Sequence, residues 1–344
     1  MKKSLDVKIA DILANPSNSK AFIIADAKDA DMGFGIRAPD PRVSSERKEP
    51  ESPWKGLEDY RGQIREIVRQ GVVDIVLLSA SNLEIFAMEE RLFDNSPITP
   101  AARANDASDA WAVRGGKYLE RPSRAFRTAT IDHIMYGSVD PQPGQKVIGA
   151  DLGLYSITFT NGVEEERETL HEFRKFRLEA ERKAFRYFLE VFNPNANVAK
   201  ADIPAFVNDN IIRSLAGVTK RGRPLFLKIP YNGPKALVEL VNYDPQLLVG
   251  ILGGGAGTTY DAFKLISEVQ KYGARVALFG RKINLSEHPL TFVEMLRRIV
   301  EQEITPEEGV KAYHEALKKL GMKPWREIAD DMQLTETAFR YQLK

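Results

Sequence analysis

The chain reads as an α/β protein closing into a single-domain (β/α)8, or TIM, barrel with long βα loops and a C-terminal helical extension. Three observations lead there. Apolar runs alternate with helical patterns in a regular beat through the second half, which implies right-handed βα crossovers and a parallel sheet. Runs of the same kind continue through the first half, and eight can be counted without forcing. Eight βα units favour closure over an open doubly wound sheet, because no second sheet half or switch point is evident. With 344 residues, 43% hydrophobic and 28% charged, the chain can bury a large core and remain soluble.

In chain order the expected strands are "AFIIAD" (21–26), "VVDIVLLSA" (72–80), "RTATIDHIM" (127–135), "LGLYSITFT" (152–160), "RYFLEVF" (186–192), "PLFLKI" (224–229), "LLVGIL" (247–252) and "RVALFG" (275–280). Their Val, Ile, Tyr, Thr and Phe content suits a pleated, buried surface. Between them, "EEERETLHEFRKFRLEAERKAF" carries an apolar stripe at Leu170, Phe173, Phe176 and Leu178 on a charged helix. "GPKALVELVN" opens with Pro234 at a helix N1 position. "TTYDAFKLISEVQKYG" has threonines to cap its start and Gly273 where a C′ glycine belongs. "TPEEGVKAYHEALKKLG" holds Thr305 and Glu308 at capping-box spacing, with Pro306 between them and Gly321 beyond. Residues 1–322 form the expected barrel. Segments 31–58 and 94–123 are insertions at its C-terminal face, the second a helix framed by loops, where long loops serve substrates. The tail, 323–344, is expected to dock on the barrel or on a neighbouring subunit.

Several classes drop out on composition. A net charge of +1 without long one-signed blocks argues against nucleic acid or an anionic membrane surface as the main partner. No cysteine is present, which excludes disulfides, thiolate zinc sites and a cysteine nucleophile. His133, His171, His288 and His314 are scattered without ligand spacing, so no metal is expected. "GFG" at 33–35 is too short for a dinucleotide loop, and no cofactor is expected. The start has no apolar secretory core, and no uncharged apolar run could cross a bilayer, so a cytoplasmic protein is expected.

One lysine sits inside an apolar strand, Lys228 in "PLFLKI", near the strand's C-terminal end. Burial there would disfavour the ammonium and yield an amine able to attack a carbonyl. The resulting protonated imine stabilises a carbanion on the neighbouring carbon, the chemistry that makes or breaks a C–C bond beside a ketone. From the strand alone, a lysine snorkelling to water is the better account. Its company favours the first reading. Glu190 is embedded likewise in the preceding strand, where it could shuttle protons or form a structural salt bridge to Lys228. "GILGGGAGTTYDAF" (250–263) runs from strand to glycine turn to helix, a place where backbone N–H groups can meet an anion. Gly280 and Arg281 after the next strand offer a second set of contacts. Asp26, at the end of the first strand, is an acid or a helix cap. Tyr155 and Asn232 line the pocket or serve packing and a turn.

"RYFLEVF", "PLFLKIPYN", the glycine turn and "LFGRKI" together resemble the class I (Schiff-base) aldolases of the DeoC/LacD group, tagatose-1,6-bisphosphate aldolase among them. The resemblance spans 148–300, and more loosely 21–80 through "FIIAD" and "DIVLLS". It implies that Lys228 forms the Schiff base, that Glu190 moves protons, and that Asp26 matches the strand-one aspartate. It places the phosphate contacts on Gly254, Gly255, Gly280 and Arg281, and it implies a homo-oligomer. The implied reaction is metal-independent, reversible retro-aldol cleavage of a phosphorylated ketose. A transaldolase-like enzyme, a phosphosugar-binding regulator without turnover, and a phosphosugar isomerase or epimerase using Lys228 as base are the rivals. The loop at 31–58 has no counterpart in the group, and the turn after Asp26 lacks its short polar motif. The rim therefore differs, and the identity of the sugar does not carry over.

Overall fold

The computed structural model describes residues 1–16, 18–41, 53–196, 202–255, 257–336 and 339. Eight parallel strands close into a barrel: β1 (Ile23–Lys28), β2 (Ile75–Leu78), β3 (Thr99–Arg103), β4 (Leu152–Thr158), β5 (Arg186–Phe192), β6 (Phe226–Ile229), β7 (Leu248–Leu252) and β8 (Val276–Phe279). Each pairs with the next in chain order, and β8 returns to β1 with Val276 opposite Ile23. The expected (β/α)8 architecture is the observed one.

Alternation along each strand divides the core into two layers. Ile23, Ala25, Leu154, Phe188, Phe226 and Leu278 point into the barrel, above Leu5 and Ile12 of the helix Ser4–Ala14, which closes the floor. Ile24, Val76, Leu189, Leu227 and Ala277 face outward onto the helices. Phe173 and Phe176 fill the outer layer from the helix Val163–Arg182, so the thin apolar stripe is enough to bind a highly charged helix. The expected helix ends are observed. Thr258 and Asp261 form a capping box on the helix Thr259–Lys271, which is followed by Gly273 at φ 96°. Thr305 and Glu308 form another on Pro306–Lys319.

Two elements differ from expectation. Residues 127–135 are not a barrel strand: Thr130 caps a short helix, Ile131–Tyr136, by accepting a hydrogen bond from the His133 N–H. The Thr and Ile content that suggested a strand is that of a cap followed by a buried helical turn. The third strand is instead "TPAAR", Thr99–Arg103, every residue of it buried. The segment 94–123 is therefore not an insertion carrying a helix but a barrel strand followed by a loop. That loop contains Asp106–Ala107, paired antiparallel with Ala125–Phe126. Of the insertion 31–58, the chain from 31 to 41 forms two short helical turns, and 42–52 lies outside the described residues. The tail folds back on its own barrel. Trp325 donates its N–H to Glu287, and Phe339 is buried beside Tyr231. No helix among the described residues is long and apolar enough to cross a membrane.

Candidate active site

Register sets the centre of the site. Ser156, Glu190 and Lys228 lie in one row across β4, β5 and β6, Ser156 opposite Glu190 and Glu190 opposite Lys228. Two residues earlier on their strands, Phe188 and Phe226 stack at 4.7 Å and 15°. The same inward face that carries this aromatic pair therefore carries the charged pair one layer higher. Lys228 Nζ lies 2.6 Å from Glu190 Oε1, with the lysine 7% exposed and the glutamate 1%. Above them opens a cavity of about 570 Å³ at the C-terminal face of the barrel. Gly250 neighbours Lys228 in register. A Cβ there would lie 2.5 Å from the Leu227 carbonyl, so only glycine lets the two strands approach this closely.

The second oxygen of Glu190 is held as firmly. Ser156 Oγ donates to Oε2 at 2.7 Å and lies 3.3 Å from Arg103 Nη2. Asn105 clamps the Ser156 backbone from both sides, accepting from its N–H at 2.6 Å and donating to its carbonyl at 2.8 Å. Arg103 extends the chain to Asp29 at 3.1 Å and to the Asn105 carbonyl. Burial works against the guanidinium charge, but Asp29 and Glu190 outweigh it and raise the group above its ordinary range. Buried charges survive only when paired and hydrogen-bonded, and here two acids and two bases share one network. Sequence reading missed Arg103, Ser156, Asn105 and Asp29. An arginine ending a buried strand was the one available signal.

The structure separates Asp26 from this group. Its side chain does not line the cavity; it pairs at 3.3 Å with Lys28, and both are fully buried. Residues two apart share a strand face, and Ile24 belongs to the outer layer, so Asp26 and Lys28 face the helices. Lys28 also reaches Asn284 after β8. Burial pushes the Asp26 carboxyl up to about 6, with Lys28 pulling the other way. Asp29, three residues on, is the acid of this strand's end that reaches the cavity. Tyr155 likewise faces outward, stacked on Phe176 at 4.5 Å. Asn232 is tied in a reciprocal amide pair with Asn193, which lines the cavity.

At the other end of the cavity stand Gly253, Gly254, Gly280, Arg281 and Lys282. Gly254 has φ 70°, a conformation that favours glycine, and its carbonyl accepts from Arg281 at 3.4 Å. Gly255 lies beside the same turn but outside the cavity lining. Lys282, missed in the sequence, is a buried cation at this end. It donates to the Thr258 carbonyl at 3.0 Å, and burial lowers its ammonium to about 8. The tail supplies an anion: Glu336 Oε1 accepts from the Gly257 N–H at 3.2 Å and lies 3.8 Å from Lys282 Nζ. Phe34, Ala110, Ala112, Leu119 and Phe192 make an apolar wall to the cavity. Among the described residues no group of three or more His, Asp or Glu is arranged to hold a metal ion.

No protein-family model matches the chain, and no curated protein matches it in sequence. Solved structures do share its fold. An archaeal fructose 1,6-bisphosphate aldolase aligns at 15% identity over 85% of this chain and 98% of its own, with a TM-score of 0.58. A second archaeal structure, of a fructose-1,6-bisphosphate aldolase with its catalytic lysine covalently bound to the carbinolamine intermediate of the substrate, aligns at 16% over 85% and 99%, with a TM-score of 0.59. A protein of Corynebacterium glutamicum aligns at 13% over 88% and 99%, with a TM-score of 0.56. At such identities the likeness establishes the architecture: this chain is a (β/α)8 barrel of the shape that the two archaeal aldolases also adopt.

Proposed function

We propose that the protein is a class I aldolase that cleaves or forms a C–C bond of a phosphorylated ketose through an imine on Lys228. The observation that carries this reading is the 2.6 Å contact between Lys228 Nζ and Glu190 Oε1 at the base of a cavity large enough for a sugar phosphate. The like-folded archaeal aldolase that holds its substrate on a lysine supports it. So does the cationic, glycine-rich end of the cavity, where Arg281, Lys282 and the turn after β7 suit a phosphate.

In this mechanism Glu190 takes a proton from the Lys228 ammonium, and the amine adds to the ketone carbon. The proton then passes from Glu190 to the carbinolamine oxygen, which leaves as water and gives the iminium. Glu190, again a base, removes the proton of the hydroxyl on the second carbon from the imine. The bond between that carbon and its neighbour breaks, its electron pair moves into the imine to form an enamine, and the aldehyde departs. Protonation of the enamine carbon and addition of water release the second product and restore the lysine. Ser156 and Arg103 hold Glu190 in one orientation throughout.

Incubation with dihydroxyacetone phosphate and borohydride, followed by peptide mass spectrometry, tests the reading. A reduced adduct on Lys228 is expected. Absence of an adduct there across a panel of phosphorylated and unphosphorylated ketones would overturn the imine. Turnover without any trappable adduct would instead identify an isomerase or epimerase.

A further inference from the structure

Beside the cationic end of the cavity, outside its lining, the protein places a carboxylate of its own, Glu336, facing Lys282. Several contacts fix the tail where it brings Glu336 there. Asp331 Oδ1 accepts from the Thr259 N–H at 2.8 Å, and Thr258 Oγ1 donates to the Gln333 carbonyl at 2.6 Å. Asp261, the capping-box acid of the helix after β7, accepts from Thr335 Oγ1 at 2.6 Å and from the N–H groups of Thr335 and Glu336. A Cβ on Gly255 would lie 2.9 Å from Glu336 Oε1, so the turn and the carboxylate are in close contact. Lys282 lines the cavity that holds Lys228 and is also the lysine facing Glu336. A substrate anion and Glu336 therefore draw on the same buried cation. Nothing in the proposed chemistry uses Glu336.

We infer that Glu336 is an autoinhibitory residue, a tethered carboxylate that a substrate phosphate must displace from Lys282 and the turn after β7. This rests on the proposed phosphate reading of that end of the cavity. Tethering gives Glu336 an effective concentration on the order of millimolar before any substrate arrives. A monoanionic carboxylate from solution offers Lys282 nothing that the tail does not already supply. A phosphate dianion, with twice the charge and three acceptor oxygens, competes successfully. The residue thereby sets a threshold of affinity at Lys282 that a phosphate passes and a carboxylate does not. The displaced segment is the short run 333–336, whose anchors on Thr258 and Asp261 would open together.

Calorimetric titration of the full chain at pH 7 with inorganic phosphate, and separately with acetate, tests this. Glu336→Gln is expected to bind phosphate about ten-fold more tightly, and to bind acetate where the unaltered protein does not. Amide hydrogen exchange of 333–336 in the unaltered protein is expected to accelerate when phosphate is added, a reading that does not depend on the variant folding. The inference is overturned if Glu336→Gln binds phosphate no more tightly, or if the tail's exchange is unchanged at saturating phosphate. It is overturned as well if neither protein binds phosphate. Borohydride trapping with unphosphorylated dihydroxyacetone then judges the aldolase reading separately.

Discussion

Glu190 serves both the formation of the imine and the cleavage step, so Glu190→Gln should keep the shape of the site and lose its base. A drop in kcat of about 10²–10⁴-fold is expected, the usual contribution of a positioned acid–base group. Steady-state kinetics with the trapped ketone's aldol product checks it; a variant within a few-fold of the parent would remove Glu190 from the mechanism. Lys282 carries a pH prediction of definite sign. Burial lowers its ammonium to about 8, so it is charged below that pH and neutral above it. Phosphate becomes a dianion above about pH 6. Affinity for a phosphorylated ligand should peak between the two and fall as pH rises through about 8, and Lys282→Met should abolish the alkaline fall. Both residues are buried charges, yet only Glu190 stood out in the sequence. Lys282 follows a glycine and an arginine, as surface turns do, and its partners Thr258 and Glu336 are distant in the chain.

The strands explain which assignments were legible. β5 and β6 are apolar runs interrupted by one charge each, and the charge marks the pocket because Phe188 and Phe226 define the inward face. β1 offers no such guide. Both of its faces are buried, so Ile23, Ile24 and Ala25 read alike, and a one-residue slip moves an acid from pocket to helix layer. Asp26 is the residue so misplaced. Its carboxyl, pushed up from 3.8 to about 6 chiefly by burial, binds its proton more tightly in the folded chain than in the unfolded one. Stability should therefore fall as pH rises between those values, by roughly 3 kcal/mol from this group, and Asp26→Asn should flatten that limb of a urea-unfolding pH series. β3 was illegible for a different reason. "TPAAR" has a single β-branched residue and no alternation, and Pro100 argues against a strand, but neighbours β2 and β4 supply the ladder around it. The helices, by contrast, announce their ends locally, through Thr258, Thr305 and the glycines that follow.

The molecule as a whole separates stability from chemistry along the barrel axis. Leu5 is fully buried at the floor, far in chain and layer from Lys228. Leu5→Ala should cost about 2–5 kcal/mol in chemical denaturation. The folded fraction should still trap a ketone at Lys228; loss of trapping in folded protein would mean that floor and mouth are coupled. Closure itself was foreseeable, because eight βα units with apolar strands have few other ways to bury both faces of a sheet. The amino-acid order also foretold the two charges inside apolar runs and the glycine turn, since burying a charge is costly and a positive φ favours glycine wherever they occur in a chain. Tertiary contact alone assigned Arg103, Ser156 and Asn105 to Glu190, turned Asp26 away, and set Glu336 against Lys282. Those roles depend on strand register and on a tail returning across the mouth. Register and chain return are set by the summed packing of the whole barrel, which no local pattern of residues encodes.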